Sequence, residues 1–461
     1  MQQRVLATSA VALLVLSPLA VVGTASVASS PWKISLHPAA FHAGPMSPTP
    51  PTTAFCESNY HIACYEPAQM RAAYDLAPLA ANGITGTGQT IVIVDSFGSP
   101  TAAHDLGVFD ATFGLPAPPS FKVIQPAGPV PAYRPNATRE GWAGETTLDI
   151  EASHLMAPGA NILLVETPTS ENEGTSGFPQ IETAENYVIA NHLGGVISQS
   201  FSATEQTFPS AQSLIALRGA YINAAKQGIT VLAASGDSGA ADVRTDGQYY
   251  LMPVTSWPDS DPLVTGVGGT QLHLSATGQH LQPDSVWNDT YNVATQKFIF
   301  GKPGPNALAG GGGKSIIFSR PYYQNGVASI VGKKRGVPDI SMSAACNGAL
   351  DIYQSFAGQA AGWYPTCGTS EATPLFSGIV ALADQVAGHP LGVINPALYK
   401  MSLHTSSGVV DVTTGNNTVS FPQGGKTYTV TGFSAGPGYD LASGVGTVDG
   451  ALFVPALAAR G

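Results

Sequence analysis

The sequence predicts an α/β fold with a mainly parallel central sheet and helices on both faces. Three observations predict it. Short apolar runs without polar alternation recur, such as Thr-Ile-Val-Ile-Val-Asp at 90–95, and this is the pattern of strands buried on both faces. Segments of helical character lie between these runs, and strands alternating with helices build parallel sheets. The chain of 461 residues suffices for a sizeable core in one large domain or two smaller ones.

Taken in order, residues 1–28 have the make-up of a secretory signal peptide. Arg4 supplies the positive start, 11–22 is apolar and interrupted by Ser17-Pro18, and Ala25 or Ala28 suits cleavage. That run is too short and too broken for a membrane anchor, and no later stretch is apolar for long enough to span a bilayer. No stable membrane association is expected. Residues 29–54 are rich in Pro, Ser, Ala and Thr and lack periodicity, so a disordered linker or short leader is expected there. The main domain follows over 55–461. Its strands are expected at 90–95, 161–165, 196–200 and 229–234, and helices at about 142–156, 181–192 and 210–227. Sites on open sheets of this kind gather beyond the C-terminal ends of the strands.

Charged residues make up only 11% of the chain and the formal net charge is −11, which argues against a nucleic-acid partner. Four cysteines in an exported chain suggest two disulfides, for which three pairings exist. Nearness in sequence favours Cys56–Cys64 and Cys346–Cys367. A catalytic cysteine is the weaker reading, because no histidine motif accompanies these residues.

The chemistry centres on Gly368-Thr369-Ser370-Glu371-Ala372-Thr373-Pro374, followed by an apolar run at 375–386. A tight turn delivers a serine to the start of a long helix, whose unpaired N–H groups and positive end favour developing negative charge. Pro374 is expected in the first turn of that helix, where its missing N–H matters least. Taken alone, Ser370 reads as an ordinary N-cap before a core helix. A nucleophilic serine needs a base, and none of the ten histidines sits in a His-Gly-Thr setting. Glu145 and Asp149 are four apart, which on a helix puts two carboxylates on one face. A third acid, Asp237, stands in Ser-Gly-Asp-Ser-Gly after the run 229–234. Asp95 closes the first strand and reads as a structural or supporting aspartate. Gly310 to Ser315 superficially matches a phosphate loop, but that motif's first glycine would fall on Leu308.

The set Glu145-x-x-x-Asp149, Ser-Gly-Asp237-Ser-Gly and Gly-Thr-Ser370-x-x-x-Pro resembles the sedolisin family, the serine-carboxyl peptidases, in order and context from about Tyr65 onward. The resemblance implies a subtilisin-like α/β fold. It also implies that Ser370 is the nucleophile, Glu145 the base, Asp149 its orienting partner and Asp237 the oxyanion donor. Ser198-Gln199-Ser200-Phe201 resembles the family's substrate-lining strand. Asp339, in Arg335-Gly-Val-Pro-Asp339, reads as structural. Near the C-terminus, Asp411-Val412 and Gly436-Pro-Gly438-Tyr-Asp440 offer two carboxylates and turn carbonyls, a donor set for a hard cation. The family implies Ca2+ at Asp411, Val412, Gly436, Gly438 and Asp440. The insert at 418–431 between these halves is expected to be a hairpin clear of the ligands. Family members carry a large folded pro-domain, whereas 29–54 is too short for an independent core.

These readings imply a secreted, extracellular, monomeric enzyme acting on peptide or protein substrates. They also imply an acidic optimum. A carboxylate would repel an oxyanion, so Asp237 must be protonated, and model carboxyls titrate near ~4. Two alternatives are a subtilisin-like Ser-His-Asp peptidase using Asp95 and an inactive binding protein on a peptidase fold. Asn136, Asn288 and Asn416 head glycosylation-type triplets.

Overall fold

The computed structural model describes residues 41–460, so the signal peptide expected over 1–28 lies outside them. The central sheet has eight strands: β1 (Thr90–Ser96), β2 (Phe121–Ile124), β3 (Asn161–Thr167), β4 (Val196–Gln199), β5 (Thr230–Ala234), β6 (Thr265–Gln271), β7 (Ser285–Val286) and β8 (Ile340–Ser343). Their order is β7-β6-β5-β4-β1-β3-β2, with β8 beside β6. Every pairing is parallel except that of β6 with β7. The strand order reverses around β1, which lies between β3 and β4.

Alternation along the strands builds two cores. Ile91, Ile93, Ile162, Leu164 and Leu232 point to one face. Val92, Val94, Leu163, Val165 and Val231 point to the other. Five helices matter here: α1 (Ala102–Phe113), α2 (Ala137–Met156), α3 (Phe178–Ala190), α4 (Gly219–Gln227) and α5 (Thr369–Ala387). Leu148 and Leu155 of α2 pack with Leu375, Phe376 and Ile379 of α5 in the first core. Ile181 and Val188 of α3 pack with Ala220 and Tyr221 of α4 in the second.

The single helix expected over 210–227 is two helices, Ala211–Ile215 and Gly219–Gln227. Arg218 sits at the break and makes a two-pronged contact with Asp261, at 2.5 and 2.8 Å. Sequence periodicity carries no sign of that partner. Helix α2 begins five residues before the expected start, because Asn136 caps it by accepting a bond from the Arg139 N–H at 3.2 Å.

A second sheet sets Phe41–His42, Gly362–Cys367, Ala349–Gln354 and Cys64–Tyr65 side by side. Phe41–His42 and Ser47, within the stretch expected to be a linker, pair with this sheet. Phe41 pairs with Cys367, and the His42 ring lies 4.4 Å from that of Tyr364. Both favoured disulfides are present, Cys56–Cys64 and Cys346–Cys367. Among the described residues no helix is long and apolar enough to cross a membrane.

Helices α2 and α5 cross closely, with the Ser153 and Ser377 hydroxyls 3.1 Å apart. Gly378 permits the approach: a Cβ there would stand 2.5 Å from the Met156 Cβ and 3.0 Å from the Ser153 carbonyl oxygen. An exposed helical glycine gains roughly 0.8–1 kcal/mol on replacement by alanine. Here the sign reverses, and Gly378→Ala is expected to destabilise by roughly 1–3 kcal/mol, as overpacked cores do. A urea denaturation midpoint at or above wild type would refute this account of the crossing.

Candidate active site

Strand Gly362–Cys367 ends at the Cys346–Cys367 bridge and passes through Gly368 into α5. Gly368 has φ +130°, a region open to glycine and strained for other residues. Ser370 is the second residue of α5 and is 3% exposed. Pro374 lies inside this helix, not in its first turn as expected. It has no N–H for the Ser370 carbonyl, and the Ser200 hydroxyl stands 3.4 Å from that oxygen. That hydroxyl, directly after β4, carries a single proton, and the shorter contact to Asp149 takes it.

The same Ser200 hydroxyl donates to Asp149 Oδ1 at 2.7 Å. One side chain therefore spans from α2 to the backbone of Ser370. Glu145 and Asp149 are both fully buried on α2, one turn apart. Burial pushes the Asp149 carboxyl well above its ordinary range, and the charges of Asp95 and Glu145 push the same way. Asp95, at the end of β1, is itself buried and raised to about 7, mainly by burial and further by Glu166. Asp95, Asp149 and Glu145 thus form one buried group that disfavours full ionisation. Sequence reasoning left Asp95 as a supporting residue, and the structure sets it within electrostatic reach of Asp149.

Asp237 follows β5, next to β4 in the sheet, and is half-buried. Its Oδ1 accepts from the Thr369 N–H at 2.7 Å and from the Thr369 hydroxyl at 2.9 Å. The Gly236 N–H donates to that hydroxyl oxygen at 3.1 Å, which leaves the hydroxyl proton for Asp237. Thr369 therefore ties Asp237 to the residue before Ser370. Ser200 and Thr369 both lie within motifs quoted from the sequence, but neither was given these contacts there.

Several other acids and histidines are engaged elsewhere. Asp339 pairs with Arg335 at 2.5 Å and accepts from Tyr399 at 2.9 Å, in keeping with a structural role. Buried His154 stands 3.1 Å from Asp110, and His42 bonds Gln354 at 3.1 Å. Residues Gly313–Ser319 form a strand, not a phosphate loop.

The C-terminal donor set is also brought together. Gly438 N–H donates to Asp411 at 2.8 Å, and Gly436 N–H donates to Asp440 at 3.1 Å. The Ser443 hydroxyl stands 3.5 Å from the Val412 carbonyl oxygen and 3.1 Å from Asp440. Among the described residues no three His, Cys, Asp or Glu side chains gather as metal ligands. This set has two carboxylates, with carbonyl oxygens making up the rest. The insert is a hairpin, with strands Val419–Gln423 and Lys426–Val430.

The model of the subtilase family, peptidase S8, matches residues 141–425, a span holding Glu145, Asp149, Asp237 and Ser370. The chain belongs to the subtilase family. Its relatives lie in the sedolisin branch. It is 30% identical over 400 residues to kumamolisin of Bacillus sp. (strain MN-32), covering 85% of this chain and 63% of that protein. It is 29% identical over 323 residues to tripeptidyl-peptidase 1 of Homo sapiens, covering 67% of this chain and 50% of that one. A solved structure of Pseudomonas sedolisin, a serine-carboxyl proteinase complexed with two molecules of pseudo-iodotyrostatin, matches with a TM-score of 0.69 and 27% identity. That match covers 87% of this chain and 99% of the other. The sedolisin-like chain thus spans between half and two-thirds of the length of these two curated relatives.

Burial raises other acids in this sedolisin fold. Asp384, on α5 away from Ser370, is pushed up to about 8, and Glu151, Asp351 and Glu371 are raised well above their ordinary range. A raised folded-state pKa means the native state holds its proton more tightly than the unfolded chain, where carboxyls titrate near ~4. The stability so gained is complete below that value and is lost as pH rises through the folded values. Urea midpoints should therefore fall steadily from about pH 4 to about pH 8, and Asp384→Asn should flatten the upper part of the fall. A midpoint that rises across this range would contradict the burial account.

Proposed function

We propose that the protein is a secreted, acid-acting serine-carboxyl peptidase that hydrolyses peptide bonds in peptide or protein substrates as a monomer. The observation that carries the reading is a helix-start serine linked through Ser200 to a buried carboxylate pair. Family membership and two disulfides support the enzyme class and an oxidising compartment.

In this reading Ser370 Oγ attacks the scissile carbonyl carbon while its proton passes to Glu145. Asp149 holds the remaining proton of the pair and orients Glu145. The developing oxyanion meets the positive end of α5 and the acid proton of Asp237. Oδ1 of Asp237 already accepts twice from Thr369, so that proton belongs on Oδ2. Glu145 then gives its proton to the leaving amine as the C–N bond breaks, leaving an ester on Ser370. Water attacks this ester with Glu145 again as base, and the Ser370 hydroxyl is restored. A neutral Asp237 requires acid.

A pH–rate profile on an unfolded protein substrate tests this. Wild type should be active only in acid, and Ser370→Ala should lose about 10⁵- to 10⁶-fold in kcat. A neutral optimum in the wild type would remove the role given to Asp237.

The residues Asp411, Val412, Gly436, Gly438 and Asp440 fit a calcium ion by donor type: two carboxylates and backbone carbonyls within one pair of loops. A bound ion would offset the charge of Asp440, which burial already disfavours, and brace the loops. Calcium at about 100 times its Kd should add about 2.7 kcal/mol of stability. Asp411→Ala and Asp440→Ala should each abolish the calcium-dependent rise in Tm. A full rise in both variants would place the ion elsewhere.

A further inference from the structure

The hairpin insert and its leading residue, Asn417, have no part in the mechanism above, yet they are built against the Asp237 loop. Asn417 is fully buried. Its carbonyl accepts from the Ala240 N–H at 2.9 Å, three residues beyond Asp237. Its side-chain oxygen accepts from the Phe433 N–H at 2.7 Å, and its amide nitrogen stands 3.4 Å from the Gly312 carbonyl oxygen. The segment around Gly312 holds the other side of the same loop. Ala309 N–H donates to the Asp237 carbonyl at 2.9 Å, and Gly311 N–H donates to the Gly236 carbonyl at 2.7 Å.

The hairpin adds an apolar seat. Val419, Phe421 and Val430 are buried with Ala240, Ala241, Ala307 and Ala309 in a small core of their own. The Phe421 and Tyr249 rings stand 4.3 Å apart, and Gln423 accepts from the Tyr249 N–H at 2.8 Å. A Cβ on Gly239 would meet the Asn417 carbonyl oxygen at 2.6 Å and Val419 at 2.4 Å, so the loop and the insert are in direct contact.

We infer that Asn417 and the hairpin Val419–Val430 are a positioning element for Asp237, holding the loop at Gly239 and Ala240 while Thr369 holds it at Gly236 and Asp237. The inference rests on the oxyanion role proposed for Asp237. Asn417 touches no reacting atom in this scheme. It acts by holding residues 236–240 so that the Asp237 carboxyl stays aimed while its main chain is pinned to Ala309.

A double-mutant cycle tests it, with kcat and KM measured at the acid optimum for Asn417→Ala, Asp237→Ala and the pair. Asp237→Ala should lower kcat by about 10²- to 10³-fold. Asn417→Ala should lower kcat by about 10- to 100-fold with KM little changed, because a misaimed donor acts on the transition state. In the Asp237→Ala background the Asn417 change should cost almost nothing further. Phe421→Leu, which removes the ring contact and keeps the seat apolar, provides the same cycle where Asn417→Ala does not fold. Equal losses in both backgrounds, or wild-type kcat in a folded Asn417→Ala protein, would overturn the positioning role and leave the Asp237 reading intact. Wild-type kcat in Asp237→Ala would overturn both.

Discussion

The close crossing of α2 and α5 is the constraint on which the rest of the site depends. Small residues at the contact, Ser153, Ser377 and Gly378, let the two helices approach. One helix carries Glu145 and Asp149, and the other begins with Ser370. A bulkier contact would move the acids away from the serine as rigid bodies, because both helices are buried along most of their length. Ser200 then adjusts the fit, standing between the Asp149 carboxyl and a carbonyl that Pro374 leaves without its helical donor.

Much of this was legible in the sequence. The parallel strands showed in their continuous apolar runs, and the acids at 95 and 237 showed as polar ends to such runs. Glu145 and Asp149 showed as a pair through helical spacing, whereas Ser370, by itself an ordinary N-cap, stood out through the family resemblance of the three motifs together. What escaped was set by partners distant in the chain. The break in 210–227 depends on Asp261 meeting Arg218. The Ser370 carbonyl that Pro374 leaves without a helical donor lies beside Ser200, which is far away in the chain. Thr369 looked like a turn residue beside Ser370, and only the fold shows that it fixes Asp237. Asn417 carried no signal, since a buried asparagine bonded to main chain resembles any loop asparagine in one dimension.

Charge scarcity links the chemistry to the stability. Only 11% of the chain is charged, yet a large share of its acids is buried, including Glu145, Asp149, Glu151, Glu185, Asp351 and Glu371. Isolated buried carboxylates are costly, and a protein avoids the cost by keeping the proton. The acids that keep their protons are spread from α2 to α5 and the second sheet, well beyond the residues of the proposed mechanism. Protonation is therefore a condition of the fold as well as of the site.

That spread bears on how the site holds its geometry. Were Asp149 the only neutral acid, raising the pH would ionise it within an otherwise unchanged frame. Glu151 lies in the same helix, and Glu371 directly follows Ser370, both with carboxyls raised by burial. Ionising them would strain the very helices whose crossing sets Ser370 near Glu145 and Asp149. Loss of chemistry and loosening of the α2–α5 frame thus follow from one physical cause, the unfavourable burial of negative charge.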